Sequence, residues 1–207
     1  MVINGYYANM NIGRPRKLEP EVILEIAMGV FWEKGYEATS VADILKATGL
    51  HKGSLYQTFG DKKKLFIACL ENYQGQMFQK NKETIESEKD PIVGLKKSLI
   101  DMLSLSCTES ECGNKGCMAV NTIVETAPHD EEIRYVLEKN EEKFQAFMIG
   151  LLEKAEKEFG YQLKFPPEVM FGMVMTFMCG LSSVIKNMIS VEEGFQLLDT
   201  QLQLLGL

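Results

Sequence analysis

Between Glu19 and Lys34 the apolar residues Ile23, Ile26, Ala27, Val30 and Phe31 recur at i, i+3, i+4, i+7 and i+8, the spacing of one face of an α-helix. The same period returns along the chain, and no segment alternates with period two between hairpin turns, so an all-α fold is predicted. At 207 residues and 45% hydrophobic content the chain can bury one large core, or a small domain joined to a larger one. Charged residues at 25% and aromatics at 9% exclude a disordered or fibrous chain.

Apolar runs such as Phe177 to Ser182 break well before the roughly 18 to 20 residues a membrane span needs, so no spanning helix is expected. In the first 17 residues the positive charges Arg14, Arg16 and Lys17 come last, the wrong order for a secretory signal, and a cytoplasmic protein is expected. Five cysteines, an odd number, then point to reduced thiols rather than a disulfide framework.

Gly35 stops the first helix. Ser40 and Asp43 have the spacing of a capping box, opening a short helix with Val41, Ile44 and Leu45 on its buried edge, which Gly49 closes. A second short helix, from about His51 to Thr58, buries Leu55 and Phe59 and leaves His51, Lys52, Ser54 and Gln57 outside. A long helix from Asp61 carries the stripe Leu65, Phe66, Cys69, Leu70, Tyr73 and Met77, and fades into a polar stretch near 81–90. Further helices are expected over Pro91 to about Cys107, Cys117–Thr126, Asp130–Phe159, Pro167–Met188 and Val191–Leu205, with a loop from Cys107 to Lys115.

Two short helices around a glycine turn, behind a longer amphipathic helix, have the geometry of a helix-turn-helix. Leu55 and Phe59 would lock the second short helix while its polar N-terminal face, with the Lys52-Gly53-Ser54 run, enters a major groove. Lys52 is placed for a phosphate or a guanine edge, Ser54 and Tyr56 offer hydroxyls, and Lys62 to Lys64 start the next helix, whose exposed N–H groups also favour phosphate. Charge is partitioned to match. The net charge is −7, yet residues 1–70 hold nine Lys and Arg against seven Asp and Glu, a balance of +2, and the rest of the chain is at −9.

The runs Gly35 to Ile44 and Thr48 to Phe66 resemble the DNA-binding domain of the TetR/AcrR family of bacterial one-component regulators, over roughly residues 18–68. The resemblance implies about nine helices, a homodimer, an N-terminal operator-binding domain and a C-terminal ligand-binding domain. It implies that Thr39, Tyr56 and Lys62 hold phosphates, with Ser40 beside them, and that His51, Lys52, Gly53, Ser54 and Gln57 form the recognition face on double-stranded operator DNA. His51 stands where the family often has serine or proline, and Gln57 occupies a variable position, so the operator sequence does not transfer. Gly13 to Lys17 resembles the flexible basic arm that some members lay into a minor groove, with Arg14 and Arg16 as its contacts. The domains expected are the arm over 1–17, the helix-turn-helix over 18–68 with its linking helix reaching about 85, and a helical regulatory and dimerisation domain over 86–207.

In that second domain the Pro167 to Met188 segment is apolar nearly all round and must be covered on several sides. One face meets the interior. The other, with the Phe195, Leu198, Leu202 and Leu205 stripe, is expected to form a homodimer through the last two helices, as a two-fold operator requires. The 12 methionines suit a pocket that adapts to apolar ligands. The expected lining for a small-molecule effector is Met102, Cys117, Asn121, Phe144, Phe147, Met148, Phe171 and Met175, although the same residues also fit plain core packing.

Cys107, Cys112 and Cys117 crowd one loop, where Lys115 and a helix start could activate a thiol, and a disulfide there could shift the pocket helices. The segment from Gly116 to Asn121 followed by Glu125 resembles the sixth-helix entry of a TetR subgroup, some of whose members sense oxidants or electrophiles through cysteine. An inert reading, with Cys117 a small buried residue, stands beside this. A zinc site completed by His129 lacks the usual close cysteine pair, and no cofactor or metal is expected. The two histidines, His51 and His129, belong to no catalytic motif, so an enzyme is not expected. The competing readings are a thiol enzyme built on Cys117 and His129, and a helical protein-interaction module.

Overall fold

The computed structural model describes residues 19–110 and 113–207. Among these are nine α-helices: α1 (Pro20–Lys34), α2 (Val41–Thr48), α3 (Lys52–Phe59), α4 (Lys62–Glu86), α5 (Pro91–Ser106), α6 (Met118–Glu125), α7 (Glu131–Phe159), α8 (Pro167–Val184) and α9 (Val191–Leu205). The all-α expectation holds. Arg14 and Arg16 of the expected arm, and Cys112 in the cysteine loop, lie outside the described residues.

Local chemistry sets most of the helix ends. Pro20 occupies the first turn of α1, where a missing N–H costs nothing, and Gly35 ends the helix at φ +85°. The Ser40–Asp43 capping box forms as read, the Ser40 hydroxyl accepting from Asp43 N–H while the Asp43 carboxylate accepts from Ser40 N–H. Gly49 closes α2 in the left-handed conformation at φ +69°. Asp61, Asp90 and Asp130 cap α4, α5 and α7, and Ser190 caps α9 in a second box.

Within the Cys107–Lys115 loop the structure adds one unforeseen element, a minimal antiparallel hairpin of β1 (Glu109–Ser110) and β2 (Gly113–Asn114). Two-residue strands leave no periodic signal. What places this hairpin is tertiary: Asn114 N–H donates to Lys186 O at 3.3 Å, and a Cβ on Gly113 would lie 2.7 Å from that same oxygen.

Two cores hold the molecule. One joins α1 to α4 through Ile23, Ala27, Phe31, Ile44, Leu55, Leu65 and Phe66, and extends into α6 and α7 through Met118, Ile133, Val136 and Leu137. The other packs α5, α7, α8 and α9 around Leu95, Leu99, Leu103, Leu152, Met170 and Leu202. α4 belongs to both. Its polar end is no break: Asn81 is buried and accepts from Ser98 Oγ at 3.0 Å, and Ile85 sits so close to Gly94 that a Cβ there would lie 2.6 Å from Ile85 O.

α8 ends at Val184, four residues short of the expected Met188. By length and composition it suffices to cross a membrane, with a mean hydropathy of 1.3, which the sequence reading of short apolar runs did not anticipate. Its inner stripe of Met170, Phe171, Val174, Met178 and Leu181 packs in the second core. The outward face carries Glu168 in its first turn and beyond it only the uncharged residues Val169, Gly172, Met173, Thr176, Gly180 and Ser183.

Candidate nucleic-acid interface and adjoining cavity

α3 is eight residues long and could not persist alone, so packing must hold it. Leu55 supplies that anchor at 1% exposure, within the same core as Phe31, Ile44 and Leu65, and half-buried Phe59 packs beside it. With this face fixed, His51, Lys52, Gly53, Ser54 and Gln57 are exposed. The Lys52 ammonium lies 5.5 Å from the ring of half-buried Tyr56, a partner it can leave at little cost.

The expected phosphate-holding residues do not behave alike. Thr39 is wholly buried, and its hydroxyl donates to Gly35 O at 2.6 Å, so this side chain braces the α1–α2 turn and is not presented at the surface. Ser40 is exposed, yet its hydroxyl is engaged in the capping box with Asp43, which Lys34 also pairs at 2.6 Å. The Lys62 ammonium sits 4.3 Å from the Tyr36 ring centroid. Lys63 is committed to the body of the protein, paired with Asp130 at 2.8 Å and Glu132 at 2.9 Å at the start of α7. Those two carboxylates raise the Lys63 pKa, and Lys63 lowers that of Asp130.

Between α4, α5, α6, α7 and α8 lies a cavity of about 210 Å³. Of the expected lining, Met102, Cys117, Phe144 and Met175 reach it. Four others do not, for identifiable reasons. Met148 and Phe171 are spent in the core, Phe147 packs on Phe78 at 5.6 Å, and Asn121 is held by Lys115 O at 3.0 Å and Lys186 Nζ at 3.3 Å. The sequence reading missed the polar wall: Tyr73, Asn81, Ser106 and Ser182 within, and Gln74, Asn140 and Glu141 on α4 and α7. Asn140 donates to Gln74 Oε1 at 3.0 Å, and partial desolvation raises the Glu141 carboxyl. Single polar residues at buried helix positions carry no period of their own, which is why only coordinates reveal them.

The cysteines also sort differently from expectation. Lys115 pairs with Glu33 at 3.5 Å and lies over the Trp32 ring at 5.6 Å, which supplies the ammonium with partners on α1. Burial raises the Cys107 thiol. Cys117 is half-buried at the cavity wall, receives a hydrogen bond from the Tyr73 hydroxyl at 3.4 Å, and donates its backbone N–H to Ser182 Oγ at 2.8 Å. Cys179 lines the same cavity and was absent from the sequence-based set. His129, the remaining ligand of the zinc alternative, is exposed, and no group of three potential ligands converges among the described residues.

Besides the Lys115–Glu33 and Lys63 pairs, two hydrogen-bonded links join the helix-turn-helix region to α6 and its entry. Trp32 Nε1 donates to Gly116 O at 3.0 Å, and the Glu125 carboxylate at the end of α6 accepts from the backbone of the α1–α2 turn. A shift of α6 therefore moves groups bonded directly to the turn that orients α2 and α3.

The family model described as bacterial regulatory proteins, tetR family, matches residues 23–69. The uncharacterized HTH-type transcriptional regulator YezE of Bacillus subtilis is 30% identical over 149 residues, which cover 70% of this chain and 75% of that protein. The HTH-type transcriptional repressor ComR of Escherichia coli is 32% identical over 127 residues, 60% of this chain and 59% of that one. Among solved structures, a cysteine mutant of the TetR family transcriptional regulator CifR, complexed with 26 bp double-strand operator DNA, superposes with a TM-score of 0.76 at 25% identity, covering 92% of this chain and 98% of that one. With the helix-turn-helix, the linking α4 and the all-helical second domain in place, the chain belongs to the TetR family of bacterial regulatory proteins.

Proposed function

We propose that this protein is a cytoplasmic, homodimeric DNA-binding transcriptional repressor, released from its operator when a small, mostly apolar molecule occupies the cavity or when its thiols are modified. The observation that carries the reading is the α3 surface: five consecutive-turn positions from His51 to Gln57 are open to solvent above a fully buried Leu55. CifR, in complex with operator DNA, and ComR, a repressor, support the same role, and the relatives are regulators rather than enzymes.

Dimerisation through α8 and α9 is supported by the outward face of α8, uncharged past Glu168 in its first turn, together with exposed Leu197 and Leu204 on α9. Covering such a face removes apolar surface from water, and two copies would present two α3 helices to half-sites about 34 Å apart or a multiple of that. An effector acts by preferring the body conformation in which that spacing is wrong. A coupling of about 1 to 3 kcal/mol weakens binding roughly 5- to 150-fold.

Selection of bound fragments from genomic DNA, followed by titration at several salt concentrations, tests the reading. A pseudo-palindromic site bound with a steep negative salt slope is expected. Failure to enrich any sequence, with no salt-dependent binding, would leave the helical interaction module as the better account.

A further inference from the structure

The stretch from Asn114 to Cys117 runs antiparallel to the end of α8. Asn114 donates its side-chain N–H to Ile185 O at 2.9 Å and its backbone N–H to Lys186 O at 3.3 Å. Two residues on, a Cβ at Gly116 would lie 3.1 Å from Ser182 O, and then Cys117 N–H donates to Ser182 Oγ at 2.8 Å. Each step along the loop is a step toward the N-terminal end of α8. Cys179 precedes Ser182 by three residues, the spacing that puts two side chains on one helix face. The same progression leads from Cys117 toward Cys179, whose pKa the charge of Cys117 helps to raise, and both thiols, free in this structure, line the one cavity.

We propose that Cys117 and Cys179 are a redox-active pair, which an organic hydroperoxide entering the cavity converts into an intrachain disulfide. The Cys117 thiolate attacks the terminal peroxide oxygen. An S–O bond forms, the O–O bond breaks, and the alkoxide leaves as the alcohol with the proton that Cys117 gave up, so that Cys117 is a sulfenic acid. The Cys179 sulfur then attacks the sulfenic sulfur. The S–S bond forms, the S–O bond breaks, and hydroxide leaves as water with the Cys179 proton. Two thiols and one hydroperoxide become one disulfide, one alcohol and one water, with two electrons passing from sulfur to peroxide.

The surroundings assign the two steps. Cys179 resists ionisation, its pKa pushed up to about 11 by burial first and then by the negative charges of Cys117 and Glu141, so it suits the second attack rather than the first. The Tyr73 hydroxyl beside Cys117 Sγ can hydrogen-bond the sulfenic oxygen. Met77, Phe78, Phe144 and Met175 offer an apolar wall to the organic group, which hydrogen peroxide lacks. The product ties the start of α6 to the middle of α8. This inference rests on the regulator reading for its effect on DNA alone, because the bond itself is measured without DNA.

The reduced protein is treated with one equivalent of cumene hydroperoxide, alkylated with iodoacetamide and peptide-mapped. A linked peptide joining Cys117 to Cys179 is expected, lost in Cys117→Ser and in Cys179→Ser and kept in the Cys107→Ser/Cys112→Ser double variant. The rate ratio of cumene hydroperoxide to hydrogen peroxide, divided by the same ratio for glutathione, should exceed one several-fold and fall toward one in Met175→Trp, which fills the cavity. Linkage of Cys117 to Cys107 or Cys112 instead, or full alkylation of Cys179 after treatment, overturns the pair. A ratio of one removes the cavity's part. If the bond forms and operator affinity does not change, the chemistry stands and its regulatory use falls. If operator binding is intact and no bond forms, the pair falls and the regulator reading stands.

Discussion

Glu125, at the end of α6, accepts the backbone N–H of Glu37 at 2.8 Å with one carboxylate oxygen, while the other accepts from Tyr36 at 3.1 Å. Gly35 makes room for this clasp, since a Cβ there would lie 2.8 Å from the carboxylate. Glu125→Ala leaves both donors to water and should cost roughly 1.5 to 3 kcal/mol, the range for hydrogen bonds to a charged group. It should also change operator affinity without touching α3. An unaltered melting temperature together with unaltered DNA binding would remove Glu125 from the coupling between cavity and reading head.

Leu55 should dominate the stability of the helix-turn-helix. Truncation to alanine deletes a fully buried side chain, and the cost expected is about 2 to 5 kcal/mol, read by denaturant unfolding. A loss below about 1 kcal/mol would mean that α3 is held by something other than this contact.

Lys62→Ala should weaken binding to specific and unrelated duplexes alike and reduce the salt slope by about one. Lys52→Ala should instead cost about 1 to 3 kcal/mol on the selected operator and relax its sequence preference. Equal losses on all sequences for Lys52→Ala would move that residue to the phosphate set.

Acid should loosen both the joint between the two regions, at Asp130, and the tie between α1 and α2, at Asp43. Asp130 is held below its usual carboxylate range, first by its hydrogen bond to Lys63, and Asp43 likewise, first by its hydrogen bond to Lys34. Groups with depressed native pKa values stabilise the fold above about pH 4 and lose that contribution as the pH falls through the native values. Unfolding followed from pH 6 downward should show stability declining below about pH 4. The decline should be shallower in Asp43→Asn and Asp130→Asn, and equal slopes in the wild type and both variants would rule these groups out.

Trp32 is the sole tryptophan, and its indole N–H bonds the loop that enters α6. Its emission should therefore shift when an effector or the thiol bond displaces that loop, and Trp32→Phe should abolish the signal. A ligand that releases DNA with no change at Trp32 would place the transmitted motion elsewhere.

The reading head was legible from sequence because its determinants are local. The Ser40 box, the positive-φ Gly49 and the Leu55/Phe59 spacing act within a few residues of each other. The body was legible as helices but not as a site. Met148 and Phe171 share their apolar character with Phe144 and Met175, and only three-dimensional packing decides which side chains fill the core and which leave a void. Thr39 and Lys63 show the same dependence on packing: a hydroxyl and an ammonium that suit phosphate equally suit a carbonyl at 2.6 Å or a pair of carboxylates across the domain joint, and these are the partners the fold gives them.

The engagement of Lys63 by Asp130 and Glu132 makes ionic strength act twice. Dissolved ions compete with the duplex for the remaining cations of the head, and they also screen the tie that orients the head on its trunk. A plot of binding against salt for this protein should therefore bend downward at high concentration, and neutralising Asp130 and Glu132 together should straighten it.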